Sequence, residues 1–186
     1  MPEVPTNPLE SRRRVVITDR CELIDLPVAR LRAVLERVLA DHDRDGELSV
    51  AFIDDAGIAE LHGRFLGDPS ATDVLSFLLE DEDSVESVAT NAGDSTGPFG
   101  EVVVSCETAI REARKRDLPE SREAALYAIH GTLHLVGYDD REETDCVEMR
   151  RQEAHYLELF DASDQASNVQ PDDHGGSRPD IAGQKN

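Results

Sequence analysis

Two histidines four residues apart, His130 and His134, lie in the segment HGTLHLVGYDD that spans 130–140. On a helix, residues i and i+4 leave the same face, so both imidazoles can converge on one ion. Gly137 follows where a helix can end in a left-handed residue, a conformation that glycine adopts without steric cost. The chain can then double back and carry Tyr138, Asp139 or Asp140 towards the histidines. Two nitrogens and an oxygen with a fourth position open form the donor set of a catalytic zinc site, where the metal acidifies a bound water. A second reading stays open. The same helix carries Leu126, Ile129, Leu133 and Leu135, and two histidines on an apolar helix can equally be core residues with satisfied hydrogen bonds. The HExxH protease arrangement does not apply, because its general-base glutamate directly follows the first histidine and Gly131 stands there.

The elements that must position this segment follow from its flanks. Arg14–Thr18 is a β-branched run, and Val28–Leu39 places Leu31, Val34, Leu35, Val38 and Leu39 at helical spacing. Glu47–Ile53 alternates as a strand should, and Asp54–Asp55 then supplies an N-cap for a helix through Leu61 and Phe65. Val74–Phe77 and Glu101–Ser105 are two further apolar β-branched runs. Ser105–Lys115, Ser121–Val136 and Arg141–Phe160 give three helical segments in succession. The order β-α-β-α-β-β-α-α-α predicts a single α+β domain, a mixed sheet of about four strands covered by about five helices. The last two strands are expected as an antiparallel hairpin.

The chain has 186 residues, 40 acidic and 19 basic, for a formal net charge of −21. A hydrophobic fraction of 39% and a charged fraction of 32% describe a soluble globular protein of one domain. No apolar run approaches the roughly 20 residues of a membrane span, and no apolar leader opens the sequence. Three widely spaced cysteines without a CxxC argue for a reducing cytosol and against a disulfide framework or thiolate zinc site. The acid is uneven: 80–100 carries six acids and no base, and 161–186 five acids and two bases, so these stretches hold nine of the 21 surplus negative charges. Their composition predicts an acidic loop insertion over 80–97 and a disordered tail over 161–186, beside a flexible N-terminus over 1–11. Net acidity alone disfavours nucleic acid as a partner, since phosphate binding draws on clustered Lys and Arg. The body nevertheless gathers four bases in six residues, Arg111, Arg114, Lys115 and Arg116. They suit either a phosphate contact or a solvated helix C-terminus complementing its dipole.

Three blocks resemble one family. HGTLHLVGYDD resembles the signature HGxLHLxGYDH of the YbeY family of bacterial metal-dependent endoribonucleases, associated with ribosomal RNA maturation. TDVLSF at 72–77 resembles that family's TDVLSF stretch. GEVVVS at 100–105 resembles its GDIxIS strand, with Glu101 in place of the usual aspartate. The blocks stand in the family's order, and the likeness extends over roughly 12–160, implying a YbeY-like metal hydrolase domain of about four mixed strands with surrounding helices.

The resemblance implies one Zn²⁺ held by His130 and His134, with Asp140 in the position of the family's third histidine and Asp139 as the neighbouring alternative. An anionic aspartate leaves a bound Zn²⁺ less positive than three histidines would, so its water should be less acidified and Mn²⁺ or another divalent ion should compete better. The family arginine that precedes TDVLSF by six residues is replaced by Leu66. Arg64 is the candidate catalytic cation in its place, although two residues on a helix turn a side chain by about 200°. The function implied is a single-strand-directed, metal-dependent endoribonuclease of the cytoplasm. It would act in 16S rRNA 3′-end maturation and ribosome quality control, with ribosomal RNA and the small ribosomal subunit as partners and Arg111, Arg114, Lys115 and Arg116 as RNA contacts. The alternative is a ribosome-assembly binding factor with a structural metal and little or no nuclease activity.

Overall fold

The computed structural model describes residues 13–79 and 97–166, with side chains through 162. Among these residues, five helices surround one four-stranded sheet. The elements in chain order are β1 (Arg13–Asp19), α1 (Val28–Asp41), β2 (Gly46–Ile53), α2 (Asp55–Leu66), β3 (Val74–Leu78), β4 (Pro98–Ser105), α3 (Cys106–Arg116), α4 (Glu120–Leu135) and α5 (Glu143–Ala166). The sheet order is β1-β2-β4-β3. The first three strands run parallel, and β3 pairs antiparallel with β4, Ser76 opposite Val102. The expected mixed sheet and its antiparallel last pair are thus observed.

Two helices start on side-chain caps. Asp54 caps α2 by accepting from the Gly57 backbone N–H at 2.8 Å, and Ser105 caps α3 by accepting from that of Thr108 at 3.1 Å. Strand β4 reads as a run of valines because both its faces are covered. Val102 and Val104 join the main core beneath α1, α4 and α5, whereas Val103 packs with Ile58 and Leu75 under α2.

Helix α5 departs from expectation at both ends. Arg141 and Glu142 stay in the turn before it, and it continues to Ala166, six residues past the expected limit of the folded body. The continuation follows from anchoring. Phe160 is buried, the Arg30 guanidinium lies 4.9 Å from its ring centroid, and Arg122 pairs with Asp161 at 3.0 Å. Residues 161–166 therefore belong to a docked helix instead of the expected disordered tail. The flexible N-terminus expected over 1–11, most of the acidic insertion expected over 80–97 and the rest of the tail lie outside the described residues.

Candidate metal centre

Helix α4 meets the sheet along its small residues. A Cβ built on Gly131 would stand 2.7 Å from Val102 Cγ1 and 2.9 Å from both Ser76 Oγ and Val74 Cγ2, and one on Gly100 would stand 2.7 Å from Leu135 Cδ1. Both glycines are required by close approach, one on the helix and one on the strand. The Ser76 hydroxyl donates to the Gly131 carbonyl at 3.0 Å and ties the helix to β3. Gly131 thus faces the sheet, and His130 and His134 lie on its flank, about 100° and 60° round the helix axis, where His130 reaches α5.

The helix ends as its sequence requires. Gly137 takes φ of +106°, its N–H donates to the His134 carbonyl at 3.1 Å, and that of Tyr138 donates to the Leu133 carbonyl at 3.0 Å. This reversal brings the Tyr138 carbonyl within 3.0 Å of His134 Nδ1. The Tyr138 hydroxyl is held in turn at 3.0 Å from His42 Nε2, on α1's C-cap residue.

The two imidazoles meet edge to face, with ring centroids 4.5 Å apart and Nε2 atoms 3.0 Å apart. His130 Nδ1 lies 2.7 Å from the Glu153 carboxylate on α5. A carboxylate and a carbonyl only accept, so both Nδ1 atoms donate and, in the neutral rings, both Nε2 atoms turn a lone pair inward. Two facing lone pairs repel unless a cation lies between them. Asp140 supplies negative charge at the same point: its two carboxylate oxygens lie 3.9 Å from His130 Nε2 and 3.9 Å from His134 Nε2. One ligand atom from each of the three residues falls within 4.8 Å of the others, and this nitrogen and oxygen donor set fits a divalent transition metal. Asp139 is used differently, its Oδ1 accepting from the Asp140 backbone N–H at 2.8 Å. Burial pulls the His130 pKa down, but the Glu153 hydrogen bond and the charges of Glu153, Asp140 and Asp73 outweigh it, and the net shift is upward.

The other candidate residues lie elsewhere. Leu66 ends α2 and is 65% exposed. Arg64 sits in the last turn of α2 with its guanidinium 5.4 Å from the Phe65 ring centroid, and it makes no ion pair among the described residues. All four bases of α3 face carboxylates: Arg111 pairs with Asp55 at 3.0 Å, Arg114 with Glu120 at 3.0 Å, Lys115 with Glu112 at 2.6 Å and Arg116 with the buried Glu123 at 2.7 Å. Sequence reasoning missed Glu153. Its signal was a lone carboxylate within an α5 stripe of buried Met149, Tyr156, Leu157 and Phe160.

A model of the family described as Endoribonuclease YbeY matches residues 16–161. Among curated relatives named Endoribonuclease YbeY, that of Syntrophotalea carbinolica is 36% identical over 136 residues, covering 73% of this chain and 85% of the relative. That of Desulfitobacterium hafniense is 40% identical over 115 residues, 62% of this chain and 72% of the relative. That of Geobacter sulfurreducens is 35% identical over 149 residues, 79% and 93%. Among solved structures, a Thermotoga maritima protein determined in solution superposes with a TM-score of 0.57 at 25% identity, covering 89% of this chain and 99% of that one.

Proposed function

The chain belongs to the YbeY endoribonuclease family, and from that premise we propose that it is a metal-dependent, single-strand-directed endoribonuclease that matures the 3′ end of 16S rRNA and takes part in ribosome quality control. Its partners are ribosomal RNA and the small ribosomal subunit, and its place is the cytoplasm. The single observation that carries the reading is the convergence of His130, His134 and Asp140, whose ligand atoms all lie within 4.8 Å of one another.

His130, His134 and Asp140 are the proposed ligands of one Zn²⁺, with Mn²⁺ or another divalent ion as the competitor that the aspartate admits. When bound, the ion supplies Lewis acidity, polarising a phosphoryl oxygen and acidifying a water. The chain's residues do the rest. Glu153 and the Tyr138 carbonyl hold the two rings in the tautomer that points Nε2 inward, and Gly137 makes the turn that returns Asp140. A guanidinium must offset the charge that develops on the phosphate, and Arg64 is the proposed cation. Arg111, Arg114, Lys115 and Arg116 are the proposed RNA contacts, each exchanging a carboxylate partner for a phosphate.

Two observations favour the second reading, an assembly factor with a structural metal and little nuclease activity. Leu66 stands, exposed, where the resemblance implies an arginine, and the α3 bases are already paired. Incubation with structured ribosomal RNA separates the two. Cleavage by the wild type that is lost in His134→Ala and in a chelated sample is expected, and cleavage unchanged in both controls would overturn the metal-nuclease reading. Metal content tests the ligand set: Asp140→Ala is expected to lose the ion and Asp139→Ala to retain it, and equal content in wild type and Asp140→Ala would refute the assignment.

A further inference from the structure

One other group of metal-ligating side chains assembles among the described residues: Asp19, Cys21 and Cys106, with ligand atoms all within 4.8 Å of one another. Asp19 ends β1, Cys21 lies in the turn beyond it, and Cys106 opens α3. Both cysteines sit on fixed backbone. The Asp19 Oδ1 accepts from the N–H groups of Cys21 at 2.9 Å and Glu22 at 3.0 Å, closing a turn in which Glu22 adopts φ of +52°. The Ser105 cap holds Cys106 in the first turn of α3. The two sulfurs lie within 4.8 Å of each other; Cys106 is buried, and Cys21 lines a cavity of about 680 Å³ on the α2 side of the sheet. That cavity is walled by the carboxylates of Asp54, Glu60, Glu101 and Glu107 against one guanidinium, Arg20.

Against the expectation from cysteine spacing, which the fold overrides by bringing β1 and α3 together, we propose that Asp19, Cys21 and Cys106 form a second metal site, distinct from the histidine centre, that takes Zn²⁺ or a comparable thiophilic divalent ion through two thiolates and a carboxylate, with its fourth position open to the cavity. Tetrahedral zinc with bonds of about 2.0–2.3 Å sets its donors roughly 3.3–3.8 Å apart, so the observed group needs to contract by at most about 1.5 Å. Each thiol gives its proton to solvent as its sulfur–metal bond forms. Thiolates select softer ions than nitrogen and oxygen donors do, so the two centres differ in preference. The excess of carboxylates around the cavity draws a cation to it.

The test uses the full chain, stripped of metal and titrated with Co²⁺ under a phosphine reductant that keeps the cysteines as thiols. Two equivalents are expected, one accompanied by a thiolate-to-cobalt charge-transfer band. Cys21→Ser should lose that band and one equivalent, whereas His134→Ala should lose the other equivalent and keep the band. Cys146→Ser is the control, because Cys146 donates to the Asp140 carbonyl at 2.7 Å and is the thiol beside the histidine centre. Asp19→Asn preserves both turn hydrogen bonds while removing the anionic donor. It keeps the test readable should Cys21→Ser fold poorly, and it should weaken the band-bearing equivalent by about tenfold or more. A wild type that binds with no charge-transfer band, a band lost in Cys146→Ser but not in Cys21→Ser, or unchanged affinity in Asp19→Asn would overturn the proposal, whereas one band-bearing equivalent would count against the histidine centre alone.

Discussion

Glu153 bears on the histidine centre through a single nitrogen. Its carboxylate fixes the tautomer of His130, and an outer carboxylate of this kind is worth about 10–100-fold in metal affinity. Glu153→Ala is therefore expected to weaken metal binding by that factor in a chelator competition. Glu153→Gln, whose amide oxygen still accepts from Nδ1, should lose less. Equal losses in the two variants would show that charge, not the hydrogen bond, is what matters. The proximity of His130, His134 and Asp140 was legible in the sequence because it is local geometry, one helical turn followed by a glycine reversal. Glu153 was not legible as their neighbour, since that contact exists only after α5 has docked. Nor did the sequence show that Asp139 is engaged with the backbone of the turn while Asp140 faces the rings.

Helix α4 and its seat on the sheet are where the three family blocks meet. Gly131 and Leu135 come from the first, Ser76 from the second, and Gly100 and Val102 from the third. Element order and strand pairing were readable from apolar periodicity, but this convergence was not, because close approach leaves only an absent side chain as its trace. Gly131→Ala tests the seat. Alanine gains about 1 kcal/mol in helix propensity, but its Cβ would collide with Val102, Val74 and Ser76, an overpacking that costs about 1–3 kcal/mol. A lower urea midpoint is expected, together with weaker metal binding as the helix shifts. A different contact joins α2 to α3. Asp55 accepts from Ser105, Thr108 and Arg111, while Glu107 accepts from the Asp55 backbone N–H at 2.8 Å. Burial raises the Asp55 pKa, but these donors and the Arg111 charge outweigh it, so the net shift is downward. Ionised Asp55 thus stabilises the fold above the unfolded value of about 4, and this contribution is lost as pH falls through the lowered folded value. Stability measured against pH should show a shallower acid limb in Asp55→Asn than in the wild type.

Across the whole molecule, a net charge of −21 sets how RNA is engaged. With the α3 bases paired to carboxylates, few phosphates are neutralised on contact, so binding to plain duplex RNA should be weak and only shallowly salt-dependent. Replacing Glu112 and Glu120 by Gln would release Lys115 and Arg114 from their 2.6 Å and 3.0 Å pairs. Anisotropy titrations over a salt series should then show tighter binding and a log–log slope steeper by about 0.7–0.9 per phosphate newly engaged. Unchanged slopes would place the RNA-binding surface away from α3. The sequence showed how much acid the chain carries, but which bases it neutralises depends on the packing of α3 beside α4. The β3–β4 ladder adds an engineering consequence. Leu78 pairs with Gly100, and the Leu79 N–H donates to the Phe99 carbonyl at 3.0 Å, so Leu79 and Phe99 stand side by side at the end of the ladder. Loop closure cost grows only as the logarithm of length, about 0.6 kcal/mol per doubling. An affinity tag or a fluorescent domain spliced into the chain between Leu79 and Gly97 is therefore expected to leave the urea midpoint nearly unchanged.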